Sequence, residues 1–132
     1  MSEELDGQEK LITAIIENPL AGHTYARLMM IVNLYTRIFG TDYKMRFGGN
    51  PEEEPTEGVI TRLENKGVIE IDDDAVVTLT AKGKECSRIT AEEVGKDAMV
   101  NVRKVVTAVA VFSDGEVREW LTSLVREWAN ED

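Results

Sequence analysis

Apolar residues along this chain recur mostly at helical spacing, interrupted by two short alternating runs. From Gln8 to Glu17, Leu11, Ile12, Ile15 and Ile16 fall on one side of a 3.6-residue period and predict an amphipathic helix. Asn18-Pro19 ends it, because the residue before proline is pushed out of the α region. A second helix from about Thr24 to Phe39, started by Thr24 or His23, carries Tyr25, Leu28, Met29, Val32, Tyr35, Ile38 and Phe39. So broad an apolar face predicts burial against several partners, and Gly40 supplies a left-handed position just past the helix end. Thr41 to Asn50 alternates through Tyr43, Met45 and Phe47 as a short strand or extended link, closed by the turn Gly48-Gly49-Asn50.

Asn50-Pro51-Glu52-Glu53 has the composition of a helix start, but Pro55 limits it to one turn. Thr56 is the better N-cap for the next helix, which turns Val59, Ile60 and Leu63 inward and closes at Gly67. Val68 to Asp72 and Ala75 to Thr80 then predict a β-hairpin with Asp72, Asp73 and Asp74 at its tip. Helix resumes through Lys82, Lys84 and Cys86, with a break near Ser87-Arg88. Thr90-Ala91-Glu92-Glu93 is a capping-box signature opening a helix to about Phe112, on which Val94, Ala98, Val102, Val105, Val109 and Phe112 form a coiled-coil-like seam. Ser113-Asp114-Gly115-Glu116 is a second capping box, and Val117, Trp120, Leu121, Leu124 and Trp128 define a last amphipathic helix. Residues 1–7 carry little apolar content and predict a frayed start. No internal repeat interrupts this order.

Composition bounds the reading. At 132 residues and 42% hydrophobic, the chain fits one domain with its own core. Within it, residues 8–86 form one unit and residues 90–129 a helical pair suited to packing or dimerisation. The acidic Met1-Ser2-Glu3-Glu4 does not resemble a signal segment, and no apolar run approaches the ~20 residues of a bilayer span. A soluble, cytoplasmic protein without membrane contact is expected. Cys86 is the only cysteine, so no disulfide or thiolate metal cage forms within one chain, and it reads as a small buried hydrophobe. The net charge of −10 argues against non-specific attraction to nucleic acid unless one face is basic.

Leu63-Glu64-Asn65-Lys66-Gly67-Val68-Ile69 before the hairpin and Leu79-Thr80-Ala81-Lys82-Gly83 after it resemble the "L-x-x-x-G-x-I … L-T-x-x-G" pattern of winged helix-turn-helix regulators. Upstream, Tyr25-Ala26-Arg27-Leu28 to Tyr35 and then Tyr43-Lys44-Met45-Arg46-Phe47 are similar to the YwgA-like winged-helix group, although Gly48-Gly49-Asn50-Pro51-Glu52 stands where that group has "Y-G-P-Y-S". The resemblance covers about Leu11 to Glu85. It implies an α+β, mainly α fold: a winged helix-turn-helix with a two-stranded wing, followed here by two additional C-terminal helices. It also implies a recognition helix over Thr56 to Lys66.

On that reading the chain is a non-catalytic, transcription-regulator-like module binding double-stranded DNA. Arg62, Asn65 and Lys66 on the recognition helix are the candidate contacts, with Arg for guanine and Asn for adenine. Arg37, Lys44 and Arg46, together with Arg27, form a second basic neighbourhood in which Tyr35, Tyr43 and Phe47 are interleaved, a mixture able to grip phosphates and bases. Against DNA stand Glu57, Glu64, the run Glu52-Glu53-Glu54 and the aspartates of the wing, which oppose counterion release. The alternative is a protein-interaction adaptor that has lost DNA binding through its acidic wing and recognition helix, and takes a basic partner. A homodimer through Val102, Val105, Val109, Trp120, Leu124 and Trp128 is expected in either case. Catalysis is the weakest reading. One His and one Cys make metal sites and triads improbable, no phosphate-binding glycine loop is present, and Asp72-Asp73-Asp74 lacks calcium-loop spacing. His23 reads as a capping or surface residue, and no cofactor or metal is expected.

Overall fold

Each long helix begins or ends on a local signal that the sequence carries. The computed structural model of the chain describes residues 5–18, 23–49 and 55–129, with the side chains of residues 125, 128 and 129 left aside. Their order is α1 (Gly7–Ile16), α2 (Tyr25–Ile38), α3 (Gly40–Asp42), a π-helical turn (Tyr43–Phe47), α4 (Thr56–Asn65), β1 (Ile69–Ile71), β2 (Val77–Leu79), α5 (Ala81–Val94), α6 (Lys96–Ala110) and α7 (Asp114–Ala129). The fold is therefore α+β and mainly α, with one two-stranded antiparallel sheet. The proposed single turn at Asn50 to Glu54, the Pro19 stop and residues 1–4 lie outside the described residues.

The hairpin is tied down on both sides. Ile69 pairs with Leu79, Glu70 with Thr78 and Ile71 with Val77. On the far edge of β2, Thr24 bridges Val76, the Val77 amide donates to the His23 carbonyl at 2.8 Å, and the Tyr25 amide donates to the Ala75 carbonyl at 2.9 Å. The segment between α1 and α2 thus acts as a one-residue third strand. Below the hairpin, Thr80 caps α5, its hydroxyl oxygen accepting from the Gly83 amide at 3.0 Å. A Cβ at Gly83 would collide with the Val68 carbonyl oxygen, which gives the Thr80-x-x-Gly83 spacing its physical reason.

Several expectations are corrected. Thr41 to Asn50 is no strand: residues 40–47 continue as a helical turn, with Tyr43 stacked on Phe47 at 5.8 Å between ring centroids. A strand would set Met45 on the side of Tyr43 and Phe47, whereas Met45 is 77% exposed and both rings are buried. Tyr43 and Phe47 are also four apart, and that helical spacing is the one realised. Gly40 does not take a positive φ. The break in the later helices falls at Gly95, with φ +88°, rather than near Ser87-Arg88, and Thr90 lies buried inside α5 instead of capping a new helix. Only glycine holds such a backbone cheaply, so Gly95 sets the stop. Pro55, not Thr56, is the N-cap of α4, one residue earlier. Asp6 and Gly7 are not frayed: Asp6 caps α1, its carboxylate accepting from the Glu9 amide while the Glu9 carboxylate accepts from the Asp6 amide, both at 2.9 Å. The capping box at Ser113 and Glu116 forms as expected.

One core runs from Leu11 and Ile12 through Leu28, Ile31 and Tyr35 to Val102, Val106 and Val117, so α6 and α7 share it with α1 and α2. Arg27 joins the parts. Its guanidinium, 8% exposed, donates to the Val109 carbonyl at 2.9 Å, the Phe112 carbonyl at 3.0 Å and Asp114 Oδ1 at 2.8 Å. It adds a donor to the Val109 carbonyl, which also accepts from the Phe112 amide, bonds the Phe112 carbonyl past the end of α6, and meets the charge of the first turn of α7. His23 is buried rather than at the surface. Its Nε2–H donates to the Asn18 carbonyl at 2.6 Å, and Nδ1 is buried without a partner among the described residues.

Two stability measurements follow from these contacts. Replacing Arg27 by Met should cost about 2–4 kcal/mol in urea unfolding, because buried carbonyls lose their donors. Arg27→Lys should recover less than half of this, since a lysine cannot reach three acceptors in the guanidinium's planar geometry. Burial lowers the His23 pKa below its ordinary 6.5; the Asn18 hydrogen bond opposes this and the Arg27 charge adds to it. The unfolded chain therefore takes up this proton first, so the contribution of the neutral ring is complete above 6.5 and shrinks as pH falls toward the depressed folded value. Melting temperature should drop as pH falls below 6.5, and His23→Gln should flatten that drop. Equal slopes for the two proteins would refute the assignment.

Candidate functional site

The outward residues of α4 are Glu57, Gly58, Thr61, Glu64 and Asn65, while Val59, Ile60 and Leu63 are buried beneath them. Of the cations expected to read DNA, neither Arg62 nor Lys66 joins this face. Lys66 Nζ donates to Glu9 Oε2 at 2.8 Å and Oε1 at 3.1 Å. Arg62 donates to Asp6 Oδ2 at 2.6 Å and to Glu9 Oε2 at 3.3 Å. Glu9 itself is only 2% exposed at its side chain. A carboxylate so placed must be paired, and these two cations, with the Asp6 amide, supply the pairing. Burial pushes the Glu9 pKa upward, but the Asp6 amide bond and the Lys66 and Arg62 cations pull it further down, leaving it below 4.5. Asn65 remains exposed on α4 with Glu64 as its neighbour.

The hairpin continues this acidic face. Asp72 Oδ1 accepts from the Asp74 amide at 2.8 Å and the Val76 amide at 3.0 Å, so one tip carboxylate is used to build the turn. Ala75 closes it with φ +61°. Val68 and Asp72 are bonded across to Thr80 and Val76, so Glu70 faces Thr78 in the same phase. The backbone N–H and C=O groups of Ile69 and Ile71 therefore point away from β2. Among the described residues they have no partner, which leaves β1 an open edge. Beside it runs a groove of about 590 Å³ lined by Glu64, Ile69, Glu70, Ile71, Asp72 and Thr78, among others.

The second basic neighbourhood divides. Arg27 is the buried joint described above. Arg46 reaches Asp42 at 3.5 Å and the Val94 carbonyl at 3.1 Å, tying the π-helical turn to the end of α5. Arg37 and Lys44 are exposed, and among the described residues neither has a carboxylate partner. The interleaved Tyr35, Tyr43 and Phe47 are buried at 3% exposure or less and offer no stacking surface. The valine seam is likewise internal: Val102, Val105 and Val109 are at most 4% exposed within their own chain, and Leu124 is 8% exposed. These four residues are covered by their own chain. Trp120 is half-buried against the core, and the Trp128 side chain lies outside the described residues. Among the described residues no three His, Cys, Asp or Glu side chains group as metal ligands would, and no helix is long and apolar enough to cross a membrane.

No family model matches the chain, and neither a curated protein nor a solved structure matches it. The likeness to winged-helix regulators therefore rests on the residues themselves. A frayed start over residues 1–7 hides Asp6, which together with Glu9 in the first helix decides the electrostatics of α4. The Asp6-x-x-Glu9 spacing before an apolar run is the signal that reveals them.

Glu9→Gln keeps the acceptor for the Asp6 amide but removes the charge from between two cations. It should lower stability by about 1–3 kcal/mol, the exposure of both cations keeping the loss below that of a fully buried pair. In a double-mutant cycle with Lys66→Met, a coupling of about 0.5 kcal/mol or more is expected from urea unfolding, and additive effects would contradict the pairing. The depressed Glu9 pKa places this stability above 4.5, to be lost as pH falls through the lower folded value.

Proposed function

We propose that this chain is a non-catalytic winged-helix module that docks a basic, extended segment of a partner protein along the face of α4 and the hairpin. The observation that carries this reading is the inward turn of Arg62 and Lys66 onto Glu9 and Asp6, which leaves Glu57, Glu64, Glu70 and the aspartate tip outward. A duplex laid on α4 would meet carboxylates where counterion release needs cations. A Lys/Arg-rich segment meets the opposite situation. The winged-helix part of the proposal is supported by chain order: the residue between α1 and α2 pairs with the hairpin that follows α4.

The open edge of β1 says how such a segment would lie. Adding a strand would pair its backbone with the free groups of Ile69 and Ile71, and its cationic side chains would fall near Glu64, Glu70 and Asp72. Backbone pairing supplies affinity, and the carboxylates select for charge.

The test is fluorescence anisotropy with a labelled Lys/Arg-rich peptide and a labelled random-sequence duplex at low and moderate salt. The peptide should bind in a salt-dependent manner, and Glu64→Lys with Glu70→Lys should weaken it about tenfold or more. Ile71→Pro should abolish binding, because proline removes an outward N–H while leaving the bonds to β2 in place. Tighter binding of the duplex, lost on changing Arg37 and Lys44 to Ala, would overturn this reading in favour of nucleic-acid binding through the opposite basic surface.

A further inference from the structure

Between α2, the start of α4 and α7 lies a cleft of about 260 Å³, at the small end for a ligand site and large enough for a molecule of about ten non-hydrogen atoms. Its walls are apolar on one side: Met29 from α2, and Trp120, Leu121 and Leu124 from α7. The other side carries Asn33, Thr56 and Glu57. Three features of that polar side are unfinished. Asn33 Oδ1 is buried and accepts no hydrogen bond among the described residues. Such a buried acceptor costs free energy until a donor reaches it. Glu57 has no cationic partner among the described residues. Among the described residues no side chain caps the N-terminus of α4, so the Thr56 and Glu57 amides of its first turn have no side-chain acceptor there.

We propose that this cleft binds a small apolar molecule carrying an ammonium group. The ammonium donates to Asn33 Oδ1 and pairs with the Glu57 carboxylate, and the hydrocarbon body displaces water from Met29, Trp120, Leu121 and Leu124. An ammonium fits better than a neutral donor because it completes both polar groups at once, and its charge-assisted bonds are the stronger kind. Two sources share this chemistry: a simple apolar amine, and an apolar amino acid whose carboxylate would use the free amides of α4. The site shares Glu57 with the acidic face of α4 but has neither Glu64 nor Glu70 in its walls, so Glu64→Lys with Glu70→Lys tests peptide docking and leaves this cleft intact.

The experiment titrates the full chain with phenethylamine, phenylalanine and 3-phenylpropionate, followed by two-dimensional amide NMR. Saturable shifts confined to residues around Asn33, Glu57 and Trp120 are expected with one or both ammonium probes. Binding of phenethylamine but not phenylalanine identifies a simple amine, and the reverse identifies an amino acid. Asn33→Leu and Glu57→Gln should each weaken the bound probe at least about tenfold. Glu57 is exposed, so Glu57→Gln reports on binding even if Asn33→Leu perturbs the fold. No saturable shift with either ammonium probe overturns the proposal. Equal binding of 3-phenylpropionate, or affinity unchanged in both variants, overturns it as well, by making the cleft a non-selective apolar crevice.

Discussion

A buried carboxylate in a small protein constrains its neighbours more than any single apolar contact does, and Glu9 plays that part here. It sits in the first turn of α1, where it completes a helix cap, and deep enough that its charge has to be met by protein rather than water. Arg62 and Lys66 meet it from α4, four residues apart on one side of that helix. The same two side chains would otherwise be the main positive charge on the exposed surface of α4. Stability and surface chemistry are thus coupled through one residue: holding α1 against α4 removes the cations that a nucleic-acid reader needs, and the acids left behind set the sign of the face.

The hairpin extends this argument from charge to shape. Its inner strand is tied to the segment between α1 and α2, its turn is built by the Asp72 carboxylate, and its base is locked over Gly83. The outer edge of β1 is left with backbone groups that have no partner among the described residues. Natural sheets usually protect such an edge with charge, and Glu70 and Asp72 do so here. Those carboxylates repel an acidic strand, and in the proposed function the same side chains that protect the edge would select a basic partner.

Much of the architecture was legible from periodicity. Leu11 to Ile16, Leu28 to Tyr35 and Val59 to Leu63 repeat at helical spacing, and the alternation around the aspartate turn marks the hairpin. The failures share a cause. Tyr43, Met45 and Phe47 satisfy a two-residue period, yet Tyr43 and Phe47 also satisfy a four-residue one, and only burial of the two rings without Met45 separates the cases. Thr90-Ala91-Glu92-Glu93 has the composition of a cap, but a cap works only where the chain leaves the helix, and the chain does so at Gly95. The valine seam was correctly apolar, and within the chain it packs on α1, α2 and α5. Charge pairing was the least legible feature, since Glu9 and Lys66 are 57 positions apart and nothing local in either stretch announces the other. The apolar cleft was equally hidden, as its walls come from α2, α4 and α7.

The Arg27 joint has a further consequence, for the order in which the chain can fold. Its hydrogen bonds span 82 and 85 residues, and its ion pair 87. The guanidinium belongs to α2, an early element in the chain, yet every acceptor it uses is made only after α6 is complete. Closing so long a loop carries an entropic cost that short-range helix formation does not. The joint cannot close before α6 and α7 are in place, and it is the long-range contact that ties the chain's last two helices to α2.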